Sequence, residues 1–140
     1  MNPKLKSLLN LWLPIVIWAL IIFNFSAHPA VQASVTHWQD FIVKKFAHLI
    51  EYAIFATLWY RALKESGIDK KMAGLYAIFI CLAYGATDEF HQAFTPTREP
   101  TIRDVTIDTA GGIIGIFIIW KLLPKAPKKL KIWAEELHII

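Results

Sequence analysis

Four apolar segments of about 15 to 19 residues dominate this 140-residue sequence and leave few folds open to it. They run from about Leu8 to Phe25, Phe46 to Leu63, Met72 to Ala86 and Val105 to Leu123. A helix that crosses a bilayer needs about 20 mainly apolar residues, and in lipid it must satisfy its own backbone hydrogen bonds. We therefore expect an all-α membrane protein with four transmembrane helices.

The composition agrees with that class. The chain is 56% hydrophobic with a mean hydropathy of +0.42, which is too apolar for a small soluble domain. The single Cys81 excludes an intramolecular disulfide and a zinc site built on cysteines. The first segment follows Lys4 and Lys6 and could be a secretory signal, but its apolar run is longer than a signal core. We expect it to stay as a helix.

The sequence predicts one transmembrane domain over residues 1–124 and a basic, amphipathic cytoplasmic tail over residues 125–140. In the tail, Leu130, Trp133, Ala134 and Leu137 recur at helical spacing with lysines between them. This pattern is typical of a helix that lies on a membrane surface. We therefore expect a C-terminal interfacial helix.

The positive charges predict how the four segments are oriented. Eleven of the 15 Lys and Arg residues lie before segment one, between segments two and three, or after segment four. Only Lys44, Lys45, Arg98 and Arg103 lie on the other side. By the positive-inside tendency, both termini are cytoplasmic. The net charge of +4 then reflects topology and contact with membrane lipids, and we expect no nucleic-acid partner.

Most side chains capable of chemistry lie at the segment ends that this topology places outside. Lys45 directly precedes segment two, whose first residues include His48, Glu51 and Tyr52. Asp88, Glu89, His91 and Gln92 closely follow segment three. Arg98, Arg103 and Asp104 precede segment four, and Asp108 lies in its first turn. Helical spacing lets each set face one side. Ionisable residues within a membrane segment cost roughly 2.5–3.5 kcal/mol each, so such a concentration predicts a functional site. Gly111 and Gly115 extend the Asp104 and Asp108 stripe and would let another helix approach closely.

One chemical interpretation of this site is metal binding. His48 and Glu51, and likewise Asp88 and His91, are carboxylate and imidazole pairs at i, i+3, a spacing by which bundle helices present metal ligands. Such ligands suit zinc, manganese or iron. A divalent metal is therefore one candidate cofactor, and the sequence names no other.

Two further interpretations stay open. Lys45, Arg98 and Arg103, with the histidines, could hold a lipid phosphate, because guanidinium groups match phosphate oxygens well. A nearby carboxylate and a histidine could also act as general base and general acid. The third interpretation is a buried salt-bridge network that only holds the helix ends together, which is costly unless every partner is satisfied.

Taken together, the spaced motifs resemble the VanZ-like family of small bacterial membrane proteins. The motifs are the run from Lys45 to Tyr52, the run from Thr87 to Arg98, and Asp104-Val105-x-x-Asp108-Thr109-x-Gly111-x-x-x-Gly115. The Phe25-Ser26 to Pro29 stretch is also similar, and the resemblance covers about residues 10–123. Thr97 stands where the family often has Gly, and Asp108 stands where it often has Asn.

The resemblance implies a bacterial inner-membrane protein of the cell envelope, since the founding member is associated with teicoplanin resistance. Among the residues at matching motif positions we take His48, Glu51, Asp88 and His91 as catalytic candidates, a role that the resemblance itself does not assign. The substrate-binding candidates are Lys45, Tyr52, Glu89, Gln92, Arg98, Arg103, Asp104 and Asp108. The resemblance supplies no reaction.

We therefore expect an outward-facing polar site that binds, and in an enzymatic version modifies, a phosphate-bearing or lipid-linked envelope component or a glycopeptide antibiotic. Such a protein would confer or modulate glycopeptide resistance. One alternative is a metal-dependent membrane hydrolase that acts on envelope lipids. The other is a small oligomeric transporter, although no polar stripe continues to the cytoplasmic helix ends. The sequence leaves the oligomeric state open.

Overall fold

The computed structural model describes residues 3–28, 37–95 and 100–140, and within these ranges the chain is helical with no strand. The helices are α1 (Pro3–Ala27), α2 (His37–Glu65), α3 (Lys70–Gln92), α4 (Ile102–Phe117) and α5 (Lys128–Glu136). After α4 the chain continues through a π-helical turn (Ile118–Leu122) and a 3-10 turn (Leu123–Lys125). The predicted all-α fold is confirmed.

Short polar and glycine signals set the helix ends. After α2, Gly67 adopts a φ of +92°, and the N–H of Ile68 returns to the Leu63 carbonyl at 3.1 Å. A left-handed residue at this point is the usual way in which a helix ends at glycine. The Asp69 carboxylate then accepts hydrogen bonds from the N–H groups of Lys71 and Met72, which caps α3. The result is a tight α2–α3 hairpin.

α2, α3 and α4 form the centre of the bundle, and α1 packs against α2 and α3. The largest fully buried side chains include Tyr52, Tyr60 and Phe55 of α2 and Ile116 of α4. Cys81 is buried among them as a free thiol, consistent with a packing role. The core therefore draws on all four long helices, and its largest side chains come from α2.

Glycines bring α4 against the backbone of α2. A Cβ added at Gly111 would lie 2.5 Å from the Leu49 carbonyl oxygen, and one at Gly115 would lie 2.6 Å from that of Ala53. Both distances are too short for any side chain, so only glycine permits this approach. The predicted role of the glycine stripe is confirmed.

α1 is attached to the bundle by the polar ends of aromatic side chains. The Trp18 indole donates to the Glu51 carbonyl oxygen at 2.9 Å, and the Tyr84 hydroxyl donates to that of Ala19 at 2.7 Å. Both acceptors belong to helix backbones. Such bonds fix where α1 docks along α2 and α3, because each aromatic ring reaches one carbonyl.

Two helical stretches, Leu5–Ala27 and Ile102–Lys125, are long and apolar enough to cross a bilayer. They contain predicted segments one and four. Much of the first stretch exposes large apolar side chains, including Leu13, Val16 and Leu20. A helix that is apolar on its exposed face suits a lipid environment. The structure is thus compatible with a membrane protein.

The predicted C-terminal helix is present as α5. Its Ala134 is buried, whereas Leu130 and Trp133 are exposed on its surface. The exposed apolar side chains and the lysines between them match the expected amphipathic pattern.

Candidate functional site

Two pairs of ionisable side chains join the N-terminal half of α2 to the N-terminal end of α4. The Lys45 ammonium lies 2.5 Å from Asp104 Oδ1, and His48 Nδ1 lies 2.8 Å from Asp108 Oδ1. On each helix the two residues are one turn apart, so the pairs stack along the helix axis. Because each pair comes from two helices, packing is needed to form it.

Burial of the carboxylate increases from the first pair to the second. The Asp104 side chain is 12% exposed, whereas that of Asp108 is completely buried. Lys45 and His48 keep about a fifth of their side-chain surface exposed. The site therefore has a partly solvent-exposed entrance at Lys45 and Asp104 and a fully buried interior at Asp108.

Arg103 and Phe41 form the rim of this entrance. The Arg103 side chain is 60% exposed, and its Nε lies 3.8 Å from Asp104 Oδ1. Its guanidinium is also 5.0 Å from the Phe41 ring centroid, and the Lys45 ammonium is 5.3 Å from the same centroid. Two cations thus lie near one aromatic ring, an arrangement stabilised by the ring quadrupole.

α3 contributes the acidic wall of the site. Asp88 accepts a hydrogen bond from the Gln92 amide at 3.0 Å, and Glu89 accepts one from the backbone N–H of Thr101 at 2.7 Å. Asp88, Glu89 and Gln92 are all about 95% buried. Carboxylates so far from water are costly unless their oxygens are satisfied.

Because residue 85 of α3 is a glycine, the Asp108 carboxylate of α4 can lie close to the α3 backbone. A Cβ at this position would lie 3.1 Å from Asp108 Oδ2 and 3.6 Å from the Tyr52 hydroxyl. Glu89 in turn interacts electrostatically with Asp88, Asp104 and Asp108. Side chains from α2, α3 and α4 therefore converge on one small region.

Several polar atoms in this region have no hydrogen-bond partner within the part of the chain that the structure describes. They are Tyr52 OH, Asp88 Oδ1, Glu89 Oε1 and Asp108 Oδ2. Buried polar atoms nearly always have partners in native proteins, and an unpaired one costs about 1–3 kcal/mol. Their concentration in one place marks a site with unused hydrogen-bonding capacity.

The remaining predicted site residues lie at the edges of this cluster or outside the described chain. The His91 ring packs against Phe23 of α1, with ring centroids 4.6 Å apart. Glu51 interacts electrostatically with His48, and its backbone carbonyl accepts the bond from Trp18. Arg98 lies outside the described residues. The structure thus gathers Lys45, His48, Tyr52, Asp88, Glu89, Gln92, Asp104 and Asp108, with Arg103 at the rim.

Three contributors were missed by the sequence analysis. Thr101 caps α4 by accepting from the Asp104 N–H at 3.2 Å, and the Thr-x-x-Asp spacing is a capping signal that could have identified it. Gly85 lies on the same helical face as Asp88, Glu89 and Gln92, so its small size was also a usable signal. Phe41 precedes Lys45 by one turn.

The metal hypothesis gains no support from the donor geometry. Among the described residues, no group of three or more His, Cys, Asp or Glu side chains is placed to hold an ion. The proposed i, i+3 pairs have other partners: His48 bonds to Asp108, and Asp88 bonds to Gln92. A resident metal therefore stays a hypothesis.

Comparison with known proteins identifies the family of this chain. Residues 10–124 match the VanZ/LLP1 family, a span that runs from α1 to the turn after α4. No curated protein and no solved structure matched the chain significantly. The matched span covers more than four-fifths of the sequence and contains every residue of the site. The chain therefore belongs to the VanZ/LLP1 family, and its apolar helices agree with a membrane protein of that family.

Proposed function

We propose that the chain crosses the bacterial inner membrane four times, with both termini in the cytoplasm. α2 and α3 contain 29 and 23 residues, so they are about 44 and 35 Å long, enough for a hydrocarbon core of about 30 Å. Both also expose large apolar side chains, among them Phe46, Ile50, Leu75 and Phe79. These surfaces support membrane contact by all four long helices.

In this topology the polar site faces outward. The N-terminal ends of α2 and α4 and the C-terminal end of α3 carry the site, and most Lys and Arg residues lie at the opposite end. The positive-inside tendency then assigns the site to the outer leaflet. Reporter fusions after Glu65 and after Ile140 should report a cytoplasmic position; an external position for either would contradict the orientation.

The function that this site supports best is binding of the polar group of a phosphate-bearing or lipid-linked envelope component. Family membership is consistent with a role in teicoplanin-type glycopeptide resistance, which such binding would confer or modulate. The observation that carries the proposal is the buried charged cluster with unpaired oxygens at a membrane-surface end of the bundle. A cluster that served only to hold helices together would satisfy its own atoms.

A groove beside the site supports a lipid-linked ligand over a soluble one. It lies between α2 and α4, has a volume of about 460 Å³ and is almost entirely apolar. It begins at Phe46, the residue after Lys45, and continues past Ile54 to Leu123. A headgroup at Lys45 and Arg103 would leave this groove available to an acyl chain of the same molecule.

Susceptibility measurements test the proposal. Expression of the wild-type chain in a teicoplanin-susceptible strain should raise the inhibitory concentration, and Lys45→Ala should abolish the gain at equal protein level in the membrane. Lys128→Ala, in α5 and away from the site, is the matched control. A wild-type chain that leaves susceptibility unchanged, and that retains no envelope lipid on purification, would refute the proposal.

A second candidate, enzymatic modification of the ligand, is favoured by the His48–Asp108 pair. A carboxylate on Nδ1 orients the imidazole and leaves Nε2 to accept or donate a proton, as in general acid–base catalysis. In that case His48→Ala should abolish product formation from lipid-linked phosphates while the protein still inserts in the membrane. Purified wild-type protein that is inert on such lipids would exclude this candidate.

A further inference from the structure

Three of the unpaired atoms of the site are hydrogen-bond acceptors, beside the Tyr52 hydroxyl and, at the edge, His91 Nδ1. Asp88 Oδ1, Glu89 Oε1 and Asp108 Oδ2 are carboxylate oxygens, and none of the three has a partner among the described side chains and backbone groups. An ionised carboxylate only accepts. A partner for these oxygens in their ionised form therefore brings N–H or O–H donors, which ionised phosphate oxygens do not.

The Tyr52 hydroxyl is an independent indication that something is to be bound here. The Tyr52 side chain is completely buried, and its hydroxyl also has no partner in the described chain. This hydroxyl and Asp108 Oδ2 both lie against Gly85, since a Cβ added there would be 3.6 Å from the first and 3.1 Å from the second. A buried tyrosine normally finds a partner for its O–H. Here the hydroxyl points into the acidic region and stays unpaired.

The charge of the cluster favours a cation. Within the described residues, the carboxylates of Asp88, Glu89, Asp104 and Asp108 face the Lys45 ammonium, the His48 ring and the exposed Arg103 guanidinium. Charge buried without compensation is strongly disfavoured. Among the described residues, the Lys45 and Arg103 cations lie at Asp104, the entrance carboxylate, and not at the inner acidic pair of Asp88 and Glu89.

At that position no group of three or more His, Cys, Asp or Glu side chains of the described chain is placed to hold a metal ion. A primary ammonium fits it better: it carries one positive charge and three N–H donors for separate acceptors. The cluster already binds one such group, the ammonium of Lys45 on Asp104.

The geometry points to a ligand with a primary ammonium group, held between Asp88, Asp108 and Tyr52. This inference rests on the proposed binding function and deepens it: the ligand is an amine-bearing envelope component. In a zwitterionic headgroup the ammonium enters the pocket and the phosphate stays at the rim, near Arg103. The rim and the interior of the site then recognise opposite charges of one molecule.

Lipids that differ only in N–H donors test the inference. Purified full-length protein in detergent is titrated with phosphatidylethanolamine or with phosphatidylcholine of the same acyl chains, which has the same charges but no N–H. We expect at least tenfold tighter binding of the ethanolamine lipid. Equal binding of the two lipids would overturn the inference, and so would equal binding of an uncharged glycosyl lipid or stabilisation by sodium or potassium chloride alone.

Substitutions in the site test whether the preference for the ethanolamine lipid depends on these side chains. Tyr52→Phe and Asp108→Asn keep side-chain shape and should each reduce the ethanolamine preference at least threefold, whereas Glu135→Gln in α5 should leave it intact. If Asp108→Asn does not fold, Tyr52→Phe still decides. An undiminished preference in Tyr52→Phe would overturn the assignment of the pocket.

Phosphoethanolamine without acyl chains separates this inference from the proposed function. If it binds more tightly than phosphocholine and the lipid does not bind, the ammonium pocket stands and the lipid-linked ligand is refuted. If both lipids bind without preference, the lipid-binding function stands and the ammonium pocket is refuted.

Discussion

Replacement of Gly111 by alanine should separate α2 from α4 and open the site. The new Cβ would lie 2.5 Å from the Leu49 carbonyl oxygen and 3.0 Å from the Leu49 Cα. Ordinary contact begins at 3.4 Å, so the carbonyl must retreat by about 0.9 Å. Both atoms belong to the backbone of a helix, so neither can move without the other residues of its turn.

The same displacement acts on the site, because Asp108 lies one turn before Gly111 on α4. A retreat of about 0.9 Å along the line between the helices would lengthen the 2.8 Å bond from His48 to Asp108 beyond hydrogen-bonding distance. Overpacking of a tight contact typically costs 1–3 kcal/mol. Helix propensity alone predicts the opposite sign, a gain of roughly 1 kcal/mol for glycine to alanine.

Thermal unfolding in detergent measures this difference directly. We expect Gly111→Ala to lower the free energy of unfolding by about 1–3 kcal/mol and to weaken ligand binding in parallel. Gly112→Ala is the matched control, because its Cβ would meet the Cys81 side chain at 3.0 Å and not a backbone carbonyl. A Gly111→Ala protein as stable as the wild type, or more stable, would refute the close backbone contact.

Three further predictions concern single contacts. Thr101→Ala should cost about 1 kcal/mol in chemical unfolding by removing the cap of α4, with Thr101→Ser close to wild type; an unchanged alanine variant would contradict the capping role. His48→Ala should lower the free energy of unfolding by about 3–5 kcal/mol, because it leaves the Asp108 carboxylate buried without its partner. The double variant with Asp108→Ala should recover part of that loss, and strictly additive effects in a double-mutant cycle would argue against the pair. Tyr84→Phe should cost about 1 kcal/mol by deleting the bond to the Ala19 carbonyl and should make α1 more sensitive to limited proteolysis; equal cleavage rates would contradict this attachment of α1.

Much of the fold follows from sequence patterns. Apolar length predicted the four long helices, because each segment was long enough for a helix and bounded by charges or prolines. The Gly111 and Gly115 stripe was visible at helical spacing, and the structure shows it against the α2 backbone. The amphipathic pattern after Pro127 likewise predicted α5. These features depend on neighbours along one helix, which sequence spacing reports directly.

Sequence spacing could not predict which side chains of the site bond to each other. Spacing along α2 and α3 suggested that His48 works with Glu51 and that Asp88 works with His91. Packing instead joins His48 to Asp108 and Asp88 to Gln92, and the His91 ring lies against Phe23 of α1. Side chains on one helix can face the same side and still bond to different neighbours, because another helix offers closer atoms.

The sequence by itself determined the number of long helices, the end of the bundle that carries the polar residues and the family to which the chain belongs. Only the tertiary structure decided which carboxylates pair with a cation and which keep an oxygen without a hydrogen-bond partner. Lys45 and Asp104 pair at the entrance, while one oxygen of Asp88 and one of Asp108 stay unpaired in the described interior. The physical reason is that compensation depends on distances of a few ångströms between helices, and those distances are set where Gly85 and Gly111 allow the backbones to approach.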